Sequence, residues 1–405
     1  MTDRASVPIS PKSVMDSVDR PDLPVPDTSS PSRSLRVLHV SHAVNTGLAH
    51  CVSDYVAYQV SSGMTVTLAC PGGRLGELSR AAGAHVVPWQ ARREPGLSVV
   101  REWSSLRAIV NRVQPDVVHL HCAKAGLVGR MLLRGRVPTV FSPHAWSFLA
   151  SKGFMRRLVR EWERFAAGWT AVTACVSQGE AATGRAAGIR GRIAVLPNRV
   201  DMELIDELVD VYRARVRGEL GISAGQPLVV LAARLARQKG QDVAIQAWRK
   251  VREEIPTAEL ALIGTGALYN ELKASAGEGV RLLGPLERAD TLRWMYAADV
   301  VICPSRWEGM SLVPLEAAAL GRPVIASEVD GMREGIRPDT GWLIPPDNAG
   351  VLADTVIKVL SDPAAAFDAG QNARRQFMAQ RSKQVPSTRL LAELYQELAS
   401  GVPSA

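Results

Sequence analysis

Apolar and polar positions alternate along this chain in two long blocks of the same rhythm. From Leu35 onward, short β-branched or apolar runs are separated by stretches of helical period. Arg36–Val40, Thr65–Ala69, Val86–Trp89, Val117–His121, Thr139–Ser142, Ala171–Val176 and Ile193–Leu196 read as strands. Ala49–Ser61, Trp103–Val113, Gly126–Leu133, Met155–Ala167 and Glu180–Ala187 read as the helices between them. Strands that are apolar throughout have both faces covered, and strand–helix alternation implies a parallel sheet with helices on both sides. The rhythm breaks at Asp201–Leu220, a charged helical stretch with no strand, and at the turn-rich Gly221–Pro227. It resumes with strands at Leu228–Ala233, Glu259–Ile263, Val280–Leu283, Val300–Cys303 and Val324–Ala326, and with helices such as Gln241–Glu254 and Leu268–Ala274. The pattern predicts an α/β chain of two doubly wound, Rossmann-like domains, 35–200 and 201–380, behind a Pro/Ser/Asp-rich disordered tail at 1–34. Ligands of such sheets bind beyond the carboxyl ends of the strands, so the cleft between two of them is the expected active site.

Bulk properties change this picture little. The 405 residues are 46% hydrophobic and 22% charged, ordinary for a globular chain of two domains. No apolar run approaches the ~20 residues that span a bilayer. The N-terminus lacks the charged and apolar regions of a secretory signal, so a cytoplasmic location is expected. Cys51, Cys70, Cys122, Cys175 and Cys303 are scattered, and read as free thiols rather than a disulfide framework or a metal site. The net charge of +8 favours anionic partners: nucleic acid, phosphorylated substrates or an anionic membrane.

Candidate chemistry sits at strand ends. Cys303 closes an apolar strand; the loop holds Glu308, Gly309 and Met310, and a helix starts near Ser311 and Leu312 and carries Glu316. Free N–H groups at a helix start suit phosphate, and a carboxylate can accept from a ribose diol. A helix charge plus a solvated glutamate is an equal alternative. The strand Leu228–Ala233 runs into Arg234, with Lys239 at the next helix, a basic pair suited to a pyrophosphate clamp. Ile263–Gly266 lacks the third glycine of a dinucleotide fingerprint and reads as a tight turn. In the first block, Asn45-Thr46-Gly47 follows the first strand and His144 follows another strand end. His119 and His121, flanking Leu120, are assigned to opposite faces of their strand, which argues against joint metal ligation. The chain contains no Asp-x-Asp, so no metal site and no metal cofactor are expected; leaving-group charge falls to Arg234, Lys239 and helix N-termini.

The segment PSRWEGMSLVPLEAAALGRPVIAS, with Glu308 and Glu316 eight positions apart, resembles the signature of glycosyltransferase family four, of GT-B fold. LAARLARQKGQDVAIQA, LPNRVD, TGWLIPPDN and the early RVLHV are similar to its other segments, so the resemblance covers roughly Leu35 to Leu398. It implies a retaining hexosyltransferase. Arg234 and Lys239 would bind the donor diphosphate, Glu316 the ribose, and Glu308 the transferred sugar. The backbone from Gly309 through Met310 and Ser311 to Leu312 would support sugar and phosphate. His144 would approach the sugar, Gly47 would border phosphate and acceptor, and the last segment, 381–405, would cross back to brace the first domain. No strong side-chain base is implied. Three places depart from the pattern: Gly-Met-Ser after Glu308, Asn198-Arg199 at the junction, and Thr46-Gly47. The expected partners are a nucleotide-sugar donor, a UDP-sugar over a GDP-sugar, and a glycan or lipid-linked acceptor of polysaccharide biosynthesis.

Phe154, Met155, Leu158, Val159, Trp162, Phe165 and Ala166 share one helical face, with Arg156, Arg157, Arg160 and Arg164 off it. The face either packs on the domain core, the favoured reading, or lies on an anionic membrane. Both hold if the arginines face outward, and with the basic charge peripheral association with the inner face of the cell membrane is expected. Rival functions are a GT-B-like epimerase or phosphorylase, against which the paired glutamates speak, and a nucleic-acid-binding module. The latter lacks interleaved basic and aromatic stretches, so no nucleic-acid partner is expected.

Overall fold

The structure is a computed structural model that describes residues 33–45, 47–91 and 98–401. The tail expected at 1–34 therefore lies almost wholly outside the described residues, as does Thr46.

Seven strands form the first sheet: β1 Arg36–Ser41, β2 Thr65–Cys70, β3 His85–Pro88, β4 Val117–His121, β5 Thr139–Ser142, β6 Val172–Cys175 and β7 Ile193–Val195. Their order is β3-β2-β1-β4-β5-β6-β7, and every pair is parallel. Six form the second: β8 Leu228–Ala232, β9 Glu259–Ile263, β10 Val280–Gly284, β11 Val300–Cys303, β12 Val324–Ser327 and β13 Gly341–Ile344. Their order is β10-β9-β8-β11-β12-β13, again parallel throughout. In each sheet the order reverses direction beside the first strand, between β1 and β4 and between β8 and β11. A crevice opens outside the strand ends at that point.

Alternating positions along a strand feed separate cores. On β1, Val37 joins a layer with Val52, Val56 and Tyr395, whereas Leu38 and Val40 join another with Leu106, Leu120 and Val128. The second sheet is likewise covered on both faces. Each of these fully buried side chains contributes about 1.5–3 kcal/mol. The last helix, Ser387–Ser400, packs its Leu391 and Tyr395 into the first of these layers, and Glu397 ion-pairs with Arg192.

One local expectation needed revision. β13 was not anticipated, because a four-residue edge strand containing Gly341 has too few positions to show a period. The charged stretch at 201–220 is helical and holds no strand, as expected; it divides into two helices, Met202–Val209 and Arg213–Glu219.

The amphipathic helix, Gly153–Ala166, departs further from the favoured reading. Its buried residues are Glu163 and Ala166. Arg130 Nη2 donates to Glu163 Oε2 at 2.7 Å and Ser147 Oγ to Glu163 Oε1 at 3.3 Å, so a buried ion pair anchors the helix. Phe154 is 77% exposed and Phe165 63%, with Met155 and Leu158 also exposed. Burying the carboxylate against Arg130 turns most of the apolar stripe outward, along with Arg156, Arg157 and Arg160. A charge removed from water requires its partner, which sets the rotation of the helix ahead of its apolar side.

Candidate active site

β11 ends at Cys303 and the chain loops to Ser311, where the helix Leu312–Ala319 begins. Ser311 is extended and its side chain makes no capping bond. Pro314 lies in the first turn, where its missing N–H costs nothing. The N–H groups at this helix start are thus left without a side-chain cap. Glu308 and Glu316 are both buried, at 5% and 4% exposure, and each faces a cation. Lys239 Nζ pairs with Glu308 Oε1, which also accepts from Ser305 Oγ at 2.9 Å. Arg288 lies 2.7 Å from Glu316. Burial pushes the Glu316 carboxyl above its usual range, and Arg288 pulls it back. Arg288 was not singled out in the sequence, although it follows the carboxyl end of β10 much as Arg234 follows that of β8.

The loop that carries Arg234 is pinned by its neighbours. Ala233 N donates to Ile263 O and Leu235 N to Thr265 O, both at 2.9 Å, and Gln241 Nε2 donates to Arg234 O at 3.1 Å. The turn Ile263–Gly266, weak as a motif, braces this loop. Gln238 joins it to the glutamate loop: Gln238 Nε2 donates to Trp307 O at 2.9 Å and Gln238 O accepts from Arg306 N at 2.8 Å.

The first sheet supplies the opposite wall. A β-carbon at Gly47 would stand 3.2 Å from Leu312 Cδ1, so the start of the helix Gly47–Ser61 touches the start of Leu312–Ala319. A β-carbon at Gly309 would stand 2.9 Å from Ala145 N and 2.9 Å from Glu180 Oε1. Ser177 Oγ donates to Gly309 O at 3.0 Å and Asn198 Nδ2 to Met310 O at 2.7 Å. Gly47, Gly309, Met310, Leu312 and the His144 turn therefore meet at one place. His144 and Ala145 both have left-handed backbone, φ 51° and 84°, unusual for residues with a β-carbon and costly unless enforced. The enforcing group is Glu180. Ser177-x-x-Glu180 has the spacing of a capping box, and Ser177 Oγ accepts from Glu180 N. The carboxylate instead accepts from Val176 N at 2.8 Å and from Ala145 N at 2.5 Å. Nothing local in the sequence announces the contact with Ala145, which lies 35 residues away.

His119 and His121 do not point to opposite faces. Residues two apart on a strand share a face, and these rings lie 4.0 Å apart. Pairing of β1 with β4 sets His39 beside His119 and Ser41 beside His121. At least one of His119 and His121 was expected to be buried and hydrogen-bonded; both are, and so is His39. His119 bonds Tyr395 Oη at 2.5 Å and Ser142 Oγ at 2.8 Å; His39 bonds His121 at 2.9 Å and Gln59 at 2.8 Å. One ligand atom from each of His39, His119 and His121 lies within 4.8 Å of the others. Every ring nitrogen of the three already has a hydrogen-bond partner, so the cluster is satisfied without an ion.

Burial pushes His39 and His144 down to about 4, and His119 and His121 well below their usual value. The unfolded chain then binds more protons than the folded one below pH 6.5, so stability is full above that pH and drains as pH falls toward 4. His39 alone costs about 2 kcal/mol at pH 5. Glu180, pushed up to about 7 by burial, runs the other way, as do the raised carboxyls of Glu316, Asp54 and Asp330, but the four imidazoles together with the lowered His50 outnumber them. Urea unfolding should show a clearly lower midpoint at pH 5.0 than at pH 7.5; equal midpoints would contradict the buried neutral histidines.

Comparison with known proteins agrees with this fold. The family described as Glycosyltransferase Family 4 matches residues 45–204, and that described as Glycosyl transferases group 1 matches residues 226–362. A GDP-mannose-dependent monoacylated alpha-(1-6)-phosphatidylinositol monomannoside mannosyltransferase of Corynebacterium glutamicum is 31% identical over half of this chain, and the chain spans 56% of that relative. A D-inositol 3-phosphate glycosyltransferase of Pseudarthrobacter chlorophenolicus is 31% identical over 69% of this chain and 71% of its own length. Anabaena HepE, solved with UDP and glucose, superposes with a TM-score of 0.73 at 19% identity, over 90% of this chain and all of the other. Two facing Rossmann-like sheets, the Glu308 loop and Glu316 helix after a strand of one, and both family matches in chain order make this protein a member of glycosyltransferase family four, with the GT-B fold.

Proposed function

We propose that the protein is a retaining transferase that moves a hexose from a UDP-sugar to a lipid-linked or glycan hydroxyl at an anionic membrane surface. The observation that carries this is the doubling of buried carboxylate–cation pairs, Lys239–Glu308 and Arg288–Glu316, whose carboxylates lie in the loop and helix that follow β11, where Gly309 meets Ala145 of the His144 turn. Arg234 and Lys239 take the diphosphate, together with the N–H groups at the start of Leu312–Ala319. Glu316 accepts from the ribose hydroxyls, and Glu308 and His144 contact the transferred sugar. Gly309, Met310 and Ser311 shape the sugar pocket, and Gly47 borders the acceptor. The bond from the anomeric carbon to the diphosphate breaks as the bond to the acceptor oxygen forms on the same face. The acceptor proton passes to the departing phosphate oxygen. Charge on the leaving group is neutralised by side chains and helix N–H groups, without a metal. A thermal-shift panel of UDP-, GDP- and ADP-sugars tests the donor. A UDP-sugar should give the largest shift, and Glu316→Ala and Arg234→Ala should each abolish it. Full shifts in both variants would sink the site assignment, and a larger GDP-sugar shift would replace the base.

The membrane part rests on the exposed apolar and basic surface of Gly153–Ala166. Among the described residues no helix is long and apolar enough to cross a membrane. This helix would lie in the interface, Phe154, Met155 and Leu158 entering the acyl boundary while Arg156, Arg157 and Arg160 meet anionic headgroups. Vesicles rich in phosphatidylglycerol should co-sediment the protein at low salt, and Phe154→Ser with Leu158→Ser should release it. Equal sedimentation of the double variant would end this reading.

A further inference from the structure

His144 is one end of a line of buried polar groups that the transfer reaction, as described, does not use. Its Nε2 lies 3.3 Å from His121 Nδ1. His121 Nε2 lies 2.9 Å from His39 Nδ1, and His39 Nε2 lies 2.8 Å from Gln59 Oε1. The residues come from the helix Gly47–Ser61, β1, β4 and the turn after β5, so tertiary structure alone assembles the line. We propose that Gln59, His39 and His121 form a hydrogen-bond relay that fixes the tautomer and ring orientation of His144, and that all three are positioning residues for the transfer. The proposal rests on the reading that His144 faces the donor sugar.

The polarity of the line follows from one end. The amide oxygen of Gln59 only accepts, so His39 donates through Nε2 and keeps a lone pair on Nδ1. His121 must then donate through Nε2 to that lone pair, and its own Nδ1 accepts from His144 Nε2–H. A neutral imidazole carries one N–H, so the third link leaves His144 with a lone pair on Nδ1. That atom is an acceptor, suited to a sugar hydroxyl. All the rings are held neutral by burial, as the alternation of donor and acceptor requires. The rings of His39 and His121 stack with centroids 5.3 Å apart, and those of His121 and His144 with centroids 5.5 Å apart, so rotation of one meets the next. His119 packs against His121 but is tied elsewhere, to Tyr395 and Ser142. A metal ion on His39, His119 and His121 would need the lone pairs that the relay and these two bonds already use.

The test uses the full chain with ¹⁵N-labelled histidine. Long-range ¹⁵N–¹H spectra distinguish the two tautomers. In the native protein His144 should show the Nε2–H form alone. His39→Leu removes the acceptor for His121 and should give a mixture. UDP release from the best UDP-sugar of the panel should fall about tenfold with donor KM unchanged. His39→Gln retains an acceptor oxygen and should restore both. Should His39→Leu not fold, Gln59→Leu breaks the outer link and is expected to act in the same direction. A single unchanged tautomer in the folded leucine variants overturns the relay. So does zinc retained in one-to-one ratio and lost in His39→Leu. If His144→Asn releases UDP at the native rate, the donor-site reading fails instead, whatever the tautomer spectra show.

Discussion

Lys239→Met is expected to lower kcat/KM for the nucleotide-sugar by about 10²–10³, the usual effect of deleting one preorganised charge at a leaving group. Lys239 reaches over from the loop after β8 and meets Glu308 from the loop after β11. The ammonium compensates a carboxylate that is almost wholly buried. When a diphosphate arrives, the same ammonium can turn to it while Glu308 finds sugar hydroxyls. Removing the cation therefore has two consequences. Turnover falls because charge on the departing diphosphate is less well stabilised. Stability falls by about 1–3 kcal/mol because Glu308 is left with Ser305 as its side-chain partner. The double variant Lys239→Met/Glu308→Gln separates them, since a neutral amide no longer needs the ammonium. It should regain the lost stability and remain inactive. A Lys239→Met enzyme with native kcat/KM would refute the diphosphate role.

Glu180→Ala should be damaging although Glu180 is not placed in contact with the donor. Its two carboxylate oxygens accept from Ala145 N and Val176 N, and the residue has no exposed surface. Truncation leaves two buried N–H groups unpaired, at about 1–3 kcal/mol each. It also releases the left-handed His144–Ala145 turn, which returns to ordinary backbone unless held. The imidazole then leaves its place in the cleft, and kcat should drop about 10²-fold, a displacement of about 1 Å being sufficient. Donor affinity, which the proposed function assigns mainly to Arg234, Lys239 and Glu316, should change much less. Urea unfolding together with separate measurement of kcat and KM checks both parts. Native kcat in a destabilised variant would show that the turn is not needed for the reaction.

Much of this architecture was legible in the chain. Strands such as Val117–His121 and Val300–Cys303 are buried on both faces, and their continuous apolarity announces a parallel sheet. The placement of Glu308, Glu316, Arg234 and Lys239 was legible for a related reason: each follows an apolar strand in chain order. The helix Gly153–Ala166 was legible as a helix, but its orientation was not. Periodicity places Phe154 and Leu158 on one face without revealing that Glu163 has a buried partner in Arg130, on a helix 33 residues earlier in the chain. The histidine faces were misassigned although strand geometry alone decides them, and β13 was too short to see.

Local order, the sites at strand ends and the apolar periods were determined by the sequence, because each depends on residues within one or two elements. Which cation meets which carboxylate, how Glu180 bends the His144 turn, and how Gln59, His39 and His121 line up were decided only by tertiary structure. Those contacts join residues from 20 to 82 positions apart, and their geometry exists only once two parallel strands and two loops lie side by side.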